Sequence, residues 1–268
     1  MVSPDFCRKV KENVAANFDQ SLEAYQAFED KHHFFADMSA VLAEWIQVPP
    51  GASVLDVGCG NGISAEVLNA RFGCSVLGVD LSPNMVADGQ RRLSGADGVR
   101  LVVGDGDRLI EVAGRERFDY VLYNASIFIF PDVENTIREA AGCLKTGGCV
   151  AFSFYPTISG PTGEDLLETA FRRLGEPLPR ARVITGYTAA CTAIETHCGP
   201  VAHHTWEQPL EISFLKDFFS IPAQSASLFP GQDYGVRRKK VALLFEAVAE
   251  MEGRGSVVWR MARSIKDL

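Results

Sequence analysis

From Ala52 onward the chain alternates between short apolar runs and longer segments whose apolar residues recur at helical spacing. The runs "SVLDV", "SVLGVD", "VRLVVGD", "FDYVLYN" and "GCVAFSF" are of strand length and almost continuously hydrophobic, as strands buried on both faces are. Between them lie helical segments that begin near Ile63, Pro83, Asp107 and Val133. Strands alternating with helices imply βαβ units and a parallel sheet covered on both sides. Local signals set the register: "SPNM" places Ser82 as N-cap and Pro83 at the first helical position, and "LKTGG" places Gly147 and Gly148 just past a helix end.

Before Ala52 the pattern is different. Two helical stretches, roughly Arg8 to Asp30 and Phe34 to Gln47, are separated by "KHH" and closed by "VPPG", through which no helix continues. After "FSFYP" the regularity loosens into a Pro/Gly-rich connection from Pro156 to Gly186, a short helix near Thr188 to Thr196, and a strand, "VAHHTWEQPL". A long excursion, "EISFLKDFFSIPAQSASLFPGQDYG" and the helical "VRRKKVALLFEAVAE", precedes a last strand, "SVVWRMARSI". The division is an N-terminal helical cap over residues 1–50 and a core over 51–268, with lid insertions at about 156–187 and 211–252.

Composition and charge narrow the function. At 268 residues and 47% hydrophobic content the chain can bury a full core. A net charge of −8 opposes non-specific binding to nucleic acid or anionic lipid. The one basic cluster, "RRKK" from Arg237 to Lys240, opens an amphipathic helical stretch and reads as a solvated helix face. No segment approaches the ~18 consecutive apolar residues that span a bilayer, and the N-terminus lacks the apolar core of a signal peptide. A cytoplasmic protein with neither membrane nor nucleic-acid partners is the expectation. Seven cysteines, mostly inside apolar patterns (Cys59, Cys74, Cys143, Cys149), imply reduced thiols. Cys191, His197, Cys198 and His203 lack the paired spacing of a zinc site, and no metal is expected.

The chemistry concentrates at "SVLDVGCGNGISAEVL", Ser53 to Leu68. Gly58, Gly60 and Gly62, set between a strand and a helix, let backbone N–H groups approach a ligand and favour negative charge at the helix start. A dinucleotide site shares this loop, and shares Asp80 at the end of the second strand, placed to accept hydrogen bonds from ribose hydroxyls. Three features separate the two. The glycine spacing is not the full G-x-G-x-x-G, Asp56 stands two residues before the first glycine, and a third acid, Asp105, follows the third strand. Acids at three successive strand ends suit a ligand with an amino group, a ribose and an exocyclic amine, whereas an extra anion would repel a pyrophosphate.

On these residues the sequence resembles the class I S-adenosylmethionine-dependent methyltransferases. "VLDVGCGNG", "VLGVDLSPNMV", "VVGDGDRL", "FDYVLYNASIFIFPD" and "LKTGGCVAFSF" match that family's motifs in order over about Ala52 to Phe154. The resemblance implies an α/β fold with a doubly wound, seven-stranded, mostly parallel sheet whose last strand is antiparallel, and S-adenosyl-L-methionine as cofactor. It implies that Asp56 and the loop of Gly58, Cys59 and Gly60 hold the methionine end and that Asp80 binds the ribose. Leu81 and Met85 would flank the adenine, Asp105 and Gly106 would read its edge, and Asn124 would offer its carbonyl to the cofactor's amino group. The stretch "NFDQSLEAYQAFEDKHHFF" is similar to the helix before the core in malonyl-acyl-carrier-protein methyl ester formers, which would set Tyr25 over the methionine carboxylate.

Methyl transfer needs alignment and exclusion of water, and a base only where the nucleophile carries a proton. No catalytic residue is assigned; His32, His33, His203, His204 and Tyr155 are the candidate bases. The motif "NASIFIFPD" lacks the Pro-Pro-aromatic form of many amino-group methylases of DNA and protein. A small-molecule acceptor is the leading expectation, bound by the N-terminal helices and the two insertions, with Phe214, Leu215, Phe218 and Phe219 as a lid stripe facing the strand ends. The alternatives are a carboxyl methyltransferase on an acyl-carrier-linked substrate, a non-catalytic S-adenosylmethionine-binding protein, and a nicotinamide-dependent oxidoreductase.

Overall fold

The computed structural model describes residues 2–251 and 255–267. The N-terminal cap contains α1 (Pro4–Asp19), α2 (Leu22–His32) and α3 (Phe34–Trp45). The expected helix from Arg8 to Asp30 is therefore two helices. Ser21 makes the break: its Oγ donates to Asn17 O at 2.7 Å and accepts from Ala223 N at 2.9 Å, which ties the cap to the excursion. The second break falls at His33, at φ 50°, where the buried Glu29 carboxylate accepts from the amides of Phe35 (2.9 Å) and Ala36 (3.0 Å) and so satisfies the start of α3.

The core runs β1 (Ser53–Val57), α4 (Ile63–Phe72), β2 (Ser75–Asp80), α5 (Pro83–Arg92), β3 (Val99–Val103), a 3₁₀ turn (Gly106–Arg108), α6 (Leu109–Ala113), β4 (Phe118–Tyr123), a second 3₁₀ turn (Ile127–Ile129), α7 (Val133–Cys143) and β5 (Leu144–Ser153). Ser82 caps α5 as expected, its Oγ accepting from Met85 N at 3.1 Å. Gly147 and Gly148 lie within β5 rather than past a helix end, because Leu144 already pairs with Phe118 and the strand follows α7 directly. The remainder is β6 (Thr157–Ser159), α8 (Leu166–Leu174), α9 (Tyr187–His197), β7 (Ala202–Pro209), α10 (Ile212–Ser220), α11 (Pro222–Leu228), α12 (Tyr234–Ala249) and β8 (Ser256–Ile265). Helix α8 arises inside the Pro/Gly-rich connection, between an Asp165 cap that accepts from Glu168 N at 3.0 Å and Gly175 at φ 63°.

The sheet order is β3-β2-β1-β4-β5-β8, with β7 on the other edge of β8. Strands β1 to β5 are parallel, and β8 runs antiparallel to β5, β6 and β7. Segment β6 is the continuation of β5 across a bulge, since Ser153 faces Met261 and Thr157 faces Val258, four residues advancing against three. The sheet is thus doubly wound and seven-stranded with an antiparallel final strand. Its order reverses between β1 and β4, and the crevice beyond the carboxyl ends of those strands is where α/β sheets of this kind bind ligands.

The cap and excursion meet over an aromatic cluster. Phe34 lies 4.6 Å from Trp259 and 5.0 Å from Phe214, and Phe218 lies 5.6 Å from Trp259 and 5.7 Å from Phe28, centroid to centroid. Phe218 and Phe219 are 2% and 0% exposed. The stripe expected to line a substrate lid is instead the bolt that fastens α10 to α2, α3 and β8. The end of the proposed insertion at residue 252 lies outside the described residues. Among these, no helix is long and apolar enough to cross a membrane.

Candidate functional site

The crevice at the sheet's reversal is built by the loop after β1. Gly58, at φ 76°, sits where an added Cβ would come 2.5 Å from the Ser126 Cβ, so the loop packs onto the segment after β4 with no room for a side chain. Gly60, at φ 54°, is different: an added Cβ would meet nothing within 4 Å, because the loop faces open space there. Asp80 braces this arrangement from the end of β2. Its Oδ2 accepts from Gly60 N and its Oδ1 from Ser82 N, both at 2.8 Å, which joins the glycine loop to the start of α5.

Asp56, at the end of β1, is 1% exposed, and neither of its carboxylate oxygens has a hydrogen-bond partner. Burial first, and the neighbouring Asp80 second, push its carboxyl up to about 7. Tyr25 stacks on Phe35 at 4.5 Å, and burial, with Glu29, Asp56 and Asp80 nearby, raises its phenol well above the usual value.

Of the residues expected to bind a cofactor, Tyr25, Gly58, Gly60, Asp80, Leu81, Met85, Gly106 and Asn124 line one cavity. Asp56, Cys59 and Asp105 do not line it. Asp105 is turned to other work: its Oδ1 accepts from Asp107 N at 3.0 Å, capping the 3₁₀ turn, and its Oδ2 holds Lys11 Nζ at 2.8 Å. The Asn124 side chain donates to Ser64 Oγ and accepts from Ser153 Oγ, each at 2.8 Å, which leaves the main-chain carbonyl for a ligand.

The N-terminal helices were expected at the acceptor pocket, but Val14, Ala15 and Phe18 of α1, which also wall this first cavity, were not among the expected site residues. Lys11 holds Asp107 (2.5 Å) as well as Asp105, and Asp19 Oδ1 accepts from Ser82 Oγ (2.5 Å), so α1 is latched to the core at both ends of the crevice. The cavity beneath it is about 60 Å³.

A second cavity, of about 1020 Å³, adjoins the first, and Val14, Phe18, Ile129 and Gln224 line both. It is walled by α1, the segment 176–184, α11 and Arg237. Among the candidate bases only Tyr155 lines it. His32 Nε2 engages Asp217 at 2.9 Å, His33 forms the turn between α2 and α3, His203 Nδ1 lies 2.8 Å from the Tyr187 hydroxyl, and His204 stacks on Trp45. The Tyr155 hydroxyl lies 2.9 Å from Ser227 Oγ, and burial raises its phenol, so at neutral pH it is a hydrogen-bonding group rather than a base. Cys191, His197, Cys198 and His203 do not assemble: His197 engages Glu134 at 2.6 Å, and among the described residues no group of three His, Cys, Asp or Glu could hold a metal ion.

Residues 55–152, the strands and loops that make this crevice, match the model of the methyltransferase domain family. Over this segment the chain is similar to the class I S-adenosylmethionine-dependent methyltransferases, a family with varied acceptors. It is 30% identical over 151 residues to an aklanonic acid methyltransferase from Streptomyces sp. (strain C5), covering 53% of this chain and 65% of that one. It is 31% identical over 133 residues to a trans-aconitate 2-methyltransferase from Methylobacterium nodulans, covering 49% and 48%. The matched segments thus span roughly half to two thirds of these relatives. Its fold resembles that of phosphoethanolamine N-methyltransferase 2 of Haemonchus contortus, solved with S-adenosyl-L-methionine, at a TM-score of 0.58 and 19% identity over 93% of this chain and 57% of that one. It also resembles the [4+2]-cyclase SpnF, at a TM-score of 0.61 and 16% identity over 96% and 97%.

Proposed function

We propose that this protein transfers the methyl group of S-adenosylmethionine to a small-molecule acceptor. The observation that carries the reading is the junction of the two cavities: a narrow crevice with the cofactor motifs on its wall opens, at Phe18, Ile129 and Gln224, into a larger chamber built by residues outside the common core. The crevice residues fit the cofactor. Asp56 has two buried carboxylate oxygens without partners, and Gly60 faces open space where a side chain would otherwise stand. Asp56 would hold the ammonium end through the loop, Asp80 the ribose hydroxyls with its remaining lone pairs, and Leu81, Met85 and Gly106 the adenine.

The bound cofactor supplies a methyl group on a positively charged sulfur, which leaves as a neutral thioether when the acceptor's lone pair takes the methyl. This chain's share is placement and exclusion of water. Helix α1, latched through Lys11 and Asp19, covers the junction, and Phe18 and Ile129 make its wall apolar. With none of the candidate histidines on the wall and Glu176 paired with Lys240, the acceptor that suits the chamber is one whose nucleophile is already deprotonated or carries a lone pair at working pH.

The experiment is incubation with S-adenosylmethionine and a panel of small acids, phenols and amines, following release of S-adenosylhomocysteine. Acceptor-dependent release supports the reading. Binding of the cofactor with no release across the panel favours a non-catalytic or non-methylating use of the fold.

A further inference from the structure

The basic run from Arg237 to Lys240 is not a uniform solvated face. Arg238 and Lys239 are exposed, and Lys240 Nζ holds Glu176 Oε2 at 2.6 Å, but Arg237 turns inward and is only 6% exposed. It stands on the buried stripe of α12 with Val241, Leu244 and Val248, so the helix's own packing carries the guanidinium inside.

Once there, it lacks what buried charges normally have. Its Nε has no hydrogen-bond partner, and the side chain makes no ion pair among the described residues. The carboxylate nearest in sequence, Asp233, caps α12 through Gly235 N at 2.8 Å and attracts the guanidinium through space without forming an ion pair with it. The Tyr234 ring lies 5.6 Å from the guanidinium carbon, a contact that softens the burial without satisfying a donor. An unpartnered buried guanidinium is costly, and a fold keeps one where a counter-charge arrives from elsewhere.

Arg237 lines the large chamber, and the other charges on that wall show what is in excess. Arg182 is matched by Asp165, and Glu176 by Lys240. Arg180 and Arg237 are not matched among the described residues, so a chain of net charge −8 presents positive charge inside this chamber. Gln232, on the same wall, also has a buried oxygen without a partner. Around these groups Phe6, Leu178, Ile184, Leu228 and Phe229 make the surface apolar.

We propose that Arg237 anchors an acidic group, a carboxylate or a phosphate monoester, borne by an apolar or aromatic acceptor. The assignment rests on the methyltransferase reading above and names the class of molecule that its chamber takes. Arg237 is not among the residues shared with the cofactor crevice, so the acid is a handle held away from the transferred methyl and not itself the methylated group. Fork-shaped, permanently charged and partly desolvated before binding, the guanidinium accepts a planar carboxylate through two N–H donors at little further cost.

The test titrates 1-naphthoate, 1-naphthyl phosphate and 1-naphthalenemethanol into protein saturated with S-adenosylhomocysteine. The wild type is expected to bind at least one of the two acids ten-fold or more tightly than the alcohol, and the tighter of the two tells carboxylate from phosphate. Arg237→Gln should lose ten-fold or more for that acid, keep the alcohol within two-fold, and keep its melting temperature, because no hydrogen bond or ion pair of the folded state is lost. Arg238→Gln, the exposed neighbour, should change none of these. Equal binding of acids and alcohol by the wild type overturns the proposal, as does an Arg237→Gln protein with undiminished acid affinity. Should Arg237→Gln not fold, Arg237→Met takes its place; failure of both to fold makes Arg237 a structural residue and overturns the anchor role. Wild-type protein that does not bind S-adenosylhomocysteine is a failure of the methyltransferase reading instead, and the acid comparison is then read on the protein alone.

Discussion

Asp56→Asn is expected to weaken S-adenosylhomocysteine binding at pH 8 by roughly ten- to a hundred-fold, about 1.5–3 kcal/mol, the scale of losing a hydrogen bond to a charged partner. The same change should leave the ligand-free protein as stable as the wild type or more so. Both follow from a carboxyl that is buried, without partners, and raised from 3.8 to about 7 by burial and by Asp80. A carboxyl raised in the folded state costs nothing below about pH 4, where it is protonated folded and unfolded alike. As pH climbs to 7 the unfolded chain ionises freely while the folded one is held back, so ligand-free stability from this group falls across that window. A bound ammonium group reverses the preference. Binding between pH 4 and 7 should therefore release a proton, and affinity should rise with pH by up to about ten-fold per unit before levelling above 7. Calorimetry in buffers of different ionisation enthalpy reads the proton directly; an Asp56→Asn protein with affinity within two-fold of wild type removes Asp56 from the site.

Phe218→Ala should destabilise the fold by about 3–5 kcal/mol in urea denaturation, the cost of emptying a large aromatic from a packed core. Phe218 is almost fully buried and has Phe28, Phe34, Trp259 and Phe219 around it, four rings from three different parts of the chain. Since it touches neither cavity wall, S-adenosylhomocysteine affinity in the folded fraction should stay within two-fold. A loss below 1 kcal/mol, or an acceptor defect at unchanged stability, would restore the stripe to the lid role that its spacing suggested.

That contrast shows where the sequence was legible. Strands β1 to β5 and their helices could be read because each is a short, self-contained pattern: apolar runs of strand length, a glycine loop, a Ser-Pro helix start. Asp56, Asp80 and the glycines were legible as a set because the loop dictates its own residues, with Gly58 crowded by Ser126 and Gly60 facing open space. The fate of Phe218 and of Asp105 was not, because each is settled by a partner far away in sequence. Trp259 and Phe28 claim the first, and Lys11 the second. Arg237 lies between these cases. A basic run reads as solvated, yet its spacing of four from Val241 and seven from Leu244 puts it on the apolar stripe, a signal present in the sequence and outweighed by the charge. The break between α1 and α2 left little trace, since "FDQSLEAY" has no helix breaker and Ser21 turns the chain only through bonds to Asn17 and Ala223.

The central claim is that the crevice at the sheet's reversal takes S-adenosylmethionine and not a dinucleotide, and calorimetric titration of S-adenosylhomocysteine and of NAD into the same protein tests it most directly. One S-adenosylhomocysteine should bind per chain with micromolar affinity, about −8 kcal/mol, and NAD should give no detectable heat. Binding of NAD in preference to S-adenosylhomocysteine, or of neither, would contradict it.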